Sequence, residues 1–219
     1  KPWANTILAD WIDSLTISEN QFDRCGCQEN DDTDGGGNVI GIVGSYESTI
    51  TIRNCTFNTT SAPVSTYVEN IKVYGNTFLK CGRNTFRITH EAGKEGEGFE
   101  LIENKFLGST IGCVIHAWKD GKTIQYPPTI RRNIFESNRI PIPGSNIDIE
   151  SHYLFVFKLN EMKTILFENN TFRDIDTYLG GFGGKFTTDN RGDVNLTFSN
   201  CFFENNVQST NGGGFCSTN

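Results

Sequence analysis

Apolar and polar positions alternate in short runs that each end on a phenylalanine: LTISENQF at Phe22, ITIRNCTF at Phe57, IKVYGNTF at Phe78, FELIENKF at Phe106, PTIRRNIF at Phe135, ILFENNTF at Phe172 and LTFSNCFF at Phe203. Counting back from the phenylalanine, position −7 holds Leu15, Ile50, Ile71, Phe99, Pro128, Ile165 or Leu196. Position −5 holds Ile17, Ile52, Val73, Leu101, Ile130, Phe167 or Phe198. Apolar residues two apart are the mark of a strand with one buried face. Position −2 is Asn20, Asn76, Asn104, Asn133 or Asn170, and Cys55 or Cys201 in the other two runs. A small polar residue between two strands predicts a bend. A second apolar stretch follows each run: VIGIV from Val39, PVSTYV from Pro63, TFRI from Thr85, GCVIHAW from Gly112, YLFVF from Tyr153, GKF from Gly184 and GGGF from Gly212.

Successive anchors lie 21 to 37 residues apart, the length of one solenoid coil with variable insertions. No stripe of 3.6-residue period intervenes, which excludes alternating βα units. The pattern predicts an all-β chain, a right-handed parallel β-helix solenoid of about seven coils forming a single domain over residues 1–219. With strands stacked about 4.8 Å apart, seven coils make a rod roughly 34 Å long. Phenylalanine stacks on phenylalanine and asparagine on asparagine, since an amide both donates and accepts and can bond to its copy one coil away. The first apolar stretch, TILADWI, and the last, GGGFCSTN, lack the polar character of solenoid caps, so a fragment, or a chain stacking on neighbouring coils or chains at its ends, is expected.

Composition agrees with strand: 23 glycines, 17 phenylalanines and one methionine. A net charge of −7 argues against a nucleic-acid partner, which needs clustered Lys and Arg. No apolar run reaches the roughly 18 residues of a membrane span, and no charged-then-apolar leader opens the chain. Seven cysteines are an odd number, so at least one thiol is unpaired within the chain. Sequons at Asn54, Asn58, Asn169 and Asn195 are about as many as chance supplies in a chain rich in Asn, Ser and Thr.

The seven runs resemble the right-handed β-helix, or pectin-lyase-like, superfamily over essentially the whole chain. That resemblance implies the fold and an extracellular or cell-surface setting. Phe203-Glu204-Asn205-Asn206, followed by Gly212-Gly213-Gly214-Phe215, is similar to the FxxN and GGA[ILV] repeats of polymorphic outer-membrane adhesins, and Phe135 to Asn138 repeats the first motif. The stretch from Gly75 to Gly108 resembles alginate and chondroitin lyases of the β-helix type, whose lysine base and adjacent arginine would fall at Tyr67 and Arg87. Trp11-Ile12-Asp13 resembles the WIDH of pectate lyases, with Ser14 at the histidine position. The GHG and RIK signatures of galacturonases are absent.

Two further clusters carry candidate chemistry. Arg87, His90 and Glu91, with Tyr67 one coil earlier, could neutralise a uronate carboxylate and abstract the neighbouring proton, as β-elimination requires. Asn30, Asp32 and Asp34, with Gly35 at the sixth position, follow a calcium loop that lacks its closing glutamate because Gly41 stands there. Calcium is therefore a possible ligand and no other cofactor is expected. Arg191-Gly192-Asp193 reads as a turn, and Cys25-Gly26-Cys27 is too tight for a zinc pair. The first expectation is a non-enzymatic segment that binds glycan or protein, or acts as a spacer. The second is a polysaccharide lyase acting on uronic-acid polymers.

Overall fold

The computed structural model describes residues 6–25, 39–60, 64–66, 70–81, 86–88, 99–108, 115–117, 128–138, 155–159, 164–177, 184–188 and 195–208. Every strand pair is parallel, no helix occurs among the described residues, and the architecture is an all-β parallel solenoid. One sheet has seven strands, from Gln21–Asp23 through Thr56–Asn58, Thr77–Leu79, Lys105–Leu107, Ile134–Glu136 and Thr171–Arg173 to Phe202–Glu204. These are the anchor strands, and their register places each phenylalanine opposite the next.

A second sheet holds two stacks joined by the long strands Ile7–Ser18 and Ile40–Arg53. One stack continues from residues 50–53 through Ile71–Tyr74, Glu100–Ile102, Thr129–Arg131 and Thr164–Glu168 to Asn195–Ser199. The other continues from residues 40–42 through Val64–Thr66, Phe86–Ile88, Ile115–Ala117 and Phe155–Leu159 to Gly184–Thr188. Six of the seven second apolar stretches therefore lie in one stack. The seventh, from Gly212, is outside the described residues.

Stacking identical side chains makes the core. Phe22, Phe57, Phe78, Phe106, Phe135, Phe172 and Phe203 form one pile with centroids 4.8 to 5.0 Å apart and ring planes within 16° of parallel. That spacing is set by the strand separation, which aromatic rings accommodate by offset stacking. The −7 and −5 positions fill the rest, and from Ile50 to Phe167 they are buried. Phe155, from the second stack, meets Phe135 edge-on at 5.2 Å.

The bend before each anchor strand is a polar ladder. Asn76, Asn104, Asn133 and Asn170 are buried. Each Oδ1 accepts the backbone N–H of the −2 residue one rung earlier, at 2.8 to 2.9 Å. Each Nδ2 donates to the −5 carbonyl of that earlier rung, at 2.7 to 2.9 Å. Cys55 and Cys201 keep half of this arrangement, donating Sγ–H to the −5 carbonyls of Ile17 and Phe167. Burial pushes both thiols above their ordinary pKa, which keeps the donating proton in place.

The bend after the anchor strand has a second ladder, at position +3, which the sequence pattern did not announce. Cys81, Asn138 and Asn206 donate to the phenylalanine carbonyls of Phe57, Phe106 and Phe172. Both bends turn through left-handed residues. Glu19, Asn54, Gly75, Glu103, Arg132, Asn169 and Asn200 at −3 have φ between +52° and +62°. Arg24, Thr59, Lys80, Gly108, Ser137, Asp174 and Asn205 at +2 lie between +50° and +66°.

Only two of these fourteen positions are glycine, and they differ in their surroundings. A Cβ on Gly75 would lie 2.8 Å from Asn54 Oδ1, whereas one on Gly108 would meet only Lys80 Cγ at 3.7 Å. Gly108→Ala is expected to cost about 1 kcal/mol through left-handed strain alone. Gly75→Ala should cost more, about 1 to 2 kcal/mol, because Asn54 must also move. Chemical denaturation of the two variants side by side measures the difference.

Candidate functional site

Of the residues expected to carry chemistry, Tyr67, His90, Glu91, Asn30, Asp32 and Asp34 lie outside the described residues, as does the Arg191 to Asp193 turn. Arg87 is placed at the centre of Phe86–Ile88. Its register partners are Ser65 on the preceding strand and His116 on the following one. Lys72 belongs to the other stack. It pairs with Thr51, while Arg87 reaches Gly41 through Ser65, ten positions earlier on Ile40–Arg53.

Polar side chains cluster on the outer face of the stack at residues 50–53, 71–74 and 100–102. Inward positions here are −7 and −5, so −6 and −4 project outward by strand alternation. Arg53 pairs in register with Tyr74, and Lys72 with Glu100. The Tyr74 hydroxyl donates to Glu100 Oε2. Arg53 is exposed and the other three are half-buried. On the same face, Arg131 Nε lies 3.0 Å from Glu168 Oε2. Asn70 donates through Nδ2 to Thr49 Oγ1 at 2.9 Å, and its buried Oδ1 has no hydrogen-bond donor among the described residues.

Chemically, this face offers two cations, a phenol, a carboxylate and an amide on a rigid surface. That is a recognition set, in which cations meet carboxylate or sulfate and the neutral groups meet hydroxyls. Sequence reading passed over Arg53, Tyr74 and Glu100 because outward strand positions are normally polar. The signal that could have found them was the −6 and −4 columns of the repeat template itself. Other charged pairs lie along the bends and the anchor sheet: Arg132 with Glu103 at 2.8 Å, and Arg173 with Glu136 at 2.5 Å. The first pair is exposed and the second half-buried at the surface, and surface pairs of this kind contribute little stability.

No group of three or more metal-binding side chains occurs among the described residues. Cys25, Cys55, Cys81 and Cys201 are free thiols. Among the sequons, Asn54 and Asn169 are exposed at equivalent bend positions and Asn195 is exposed at a strand start. Asn58 is half-buried and donates to Asp23 Oδ1 at 2.6 Å. Compared with known proteins, the chain matches no family model, no curated protein and no solved structure. What the strand pairing shows is a parallel β-solenoid.

Proposed function

We propose that the chain is an extracellular or cell-surface β-solenoid segment that binds glycan through an outer strand face and holds that face rigid. The observation that supports this reading is the set of Arg53, Lys72, Tyr74 and Glu100 on adjacent strands whose interior neighbours are locked by ring stacking and the asparagine ladder. A preorganised face loses little conformational freedom on binding. The resemblance to the pectin-lyase-like superfamily and to surface adhesins favours the same setting. Binding of protein partners, or service as a spacer, is the form this reading takes if no saccharide is retained.

A uronate lyase is the second reading, and one observation favours it: His116 is the register partner of Arg87 on the following strand, and histidine with arginine is a residue pair suited to abstracting a proton next to a neutralised carboxylate. Both readings are tested with one panel of neutral and acidic oligosaccharides and polymers. Binding followed by calorimetry is expected, and it should weaken at least tenfold, about 1.4 kcal/mol, in the double variant Arg53→Ala with Tyr74→Phe. Absorbance of the unsaturated elimination product is expected to stay flat. Turnover that disappears in Arg87→Ala would replace the binding reading with the lyase.

A further inference from the structure

We infer that Asn54 and Asn169 are sites of N-linked glycosylation and that Asn58, which also opens a sequon, is not. This rests on the extracellular setting of the proposed function, because the transferase and its lipid-diphosphate oligosaccharide donor belong to the secretory pathway. The number of sequons is what chance supplies. What separates them is where the rod places each one.

Asn54-Cys55-Thr56 and Asn169-Asn170-Thr171 occupy the same template positions, −3, −2 and −1. Both asparagines are exposed, with φ of +54° and +55°. The backbone N–H of each already donates to the next rung, to the Tyr74 carbonyl at 3.0 Å and the Ser199 carbonyl at 2.8 Å. The bend is therefore held by its backbone, and neither side-chain amide makes a hydrogen bond among the described residues. Asn54 leans over the next residue of its column, since its Oδ1 lies 2.8 Å from where a Cβ of Gly75 would be. Gly75 is the one glycine of the −3 column, so no side chain at that position covers the Asn54 amide. After Asn169 the column continues with Asn200, itself exposed.

Asn58-Thr59-Thr60 is placed differently. Asn58 ends the anchor strand Thr56–Asn58 and is half-buried. Its Nδ2 donates to Asp23 Oδ1 at 2.6 Å, and its Oδ1 accepts from Thr59 Oγ1 at 3.3 Å. Thr60, the third residue of that sequon, is buried with its hydroxyl 3.3 Å from Cys81 Sγ. An oligosaccharide is bulky and hydrated. On Asn58 it would have to displace Asp23 of the neighbouring rung, whereas on Asn54 or Asn169 it enters solvent directly.

In the transfer, Asn Nδ2 forms a bond to C1 of the donor sugar and the bond from C1 to the diphosphate oxygen breaks. The lipid diphosphate leaves with that electron pair, and one Nδ2 proton passes to a base of the transferase. Transfer precedes folding, and chains that then fail to fold are triaged by chaperones and proteases. The folded geometry thus decides which glycoforms persist. Asn54 and Asn169 are separated by four rung steps, about 19 Å along one edge of the rod. Arg53 directly precedes Asn54, so the first glycan borders the outer face that carries Arg53 and Tyr74.

The test secretes the whole chain from a eukaryotic host behind a cleavable leader. Peptides of the exported protein are read by mass spectrometry before and after amidase removal of glycans, which leaves aspartate at each occupied site. Asn54 and Asn169 should be largely occupied and Asn58 bare. Asn54→Gln and Asn169→Gln should each remove one glycan from the intact mass, and Asn58→Gln should remove none. A bare Asn54 or Asn169, or an Asn58 occupied to the same extent, overturns the inference. If the chain is retained by the host, the same peptides from the protease-resistant fraction of the lysate decide in the same way. Saccharide binding is measured separately on the unglycosylated chain from a bacterial host, so either reading can fail alone.

Discussion

Phe106→Ala is expected to lower the free energy of unfolding by about 3 to 5 kcal/mol, the cost of truncating a fully buried aromatic in a core that cannot collapse around the gap. Phe106 has no exposed surface and sits between Phe78 and Phe135 at 4.9 Å on each side, with both ring planes 5° from its own. The strand spacing that sets those distances is fixed by backbone hydrogen bonds on both sides, so neighbouring rings cannot close a one-ring void. Two ring contacts are lost along with the buried area. Phe22→Ala, with Phe57 as its one stacked neighbour among the described residues, should cost clearly less. Urea titration followed by circular dichroism measures both variants. A loss below roughly 1 kcal/mol for Phe106→Ala would show that the pile is not what holds the rungs together.

The same physics explains why the fold could be read from the chain. Parallel stacking demands that a residue resemble its copy one rung away, so the phenylalanine column and the −7 and −5 alternation survive insertions that stretch the spacing from 21 to 37 residues. The left-handed bends could not be read, because Glu19, Arg24, Lys80, Glu103 and Arg132 carry none of the Gly or Asn signature of positive φ. At these sites the continuous N–H to C=O ladder between rungs overrides local preference. The +3 ladder was hidden by its mixture of residues, with Thr60, Cys81, Asn138 and Ile175 filling one buried column.

The site was less legible than the core. The second apolar stretches have no phenylalanine anchor, and a shift of two residues preserves their alternation, so sequence alone could not decide which residue faces Arg87. The register puts Ser65 there. Tyr67, His90, Glu91, Asn30, Asp32 and Asp34 lie outside the described residues and outside the phenylalanine-anchored template, so no repeat in the sequence constrained their reading.

Asn104→Asp should be the most damaging single-atom change in the rod, and its cost should depend on pH. Asn104 is buried, and its Nδ2 donates to the carbonyls of Val73 at 2.9 Å and Ile102 at 3.0 Å and to Asn133 Oδ1 at 3.1 Å. An aspartate turns that donor into an oxygen facing three acceptors. Burial and those acceptors disfavour the charged form, so the folded pKa rises above the unfolded value of about 3.9. Below that value the carboxyl is neutral in both states and the ionisation cost is absent. As pH rises the unfolded chain ionises first, and the deficit grows by about 1.4 kcal/mol per unit until the folded pKa is passed. At neutral pH the loss should reach about 3 kcal/mol or more. Asn104→Ala should cost about 2 to 4 kcal/mol by leaving ladder partners unsatisfied, with no pH dependence of its own. Denaturant titrations of both variants against the parent chain from pH 4 to pH 7.5 distinguish the two behaviours. Parallel curves for Asp and Ala would mean that the Asn104 amide does not donate in the buried ladder. A gap that widens with pH would place the donor where the geometry has it, holding one rung to the next.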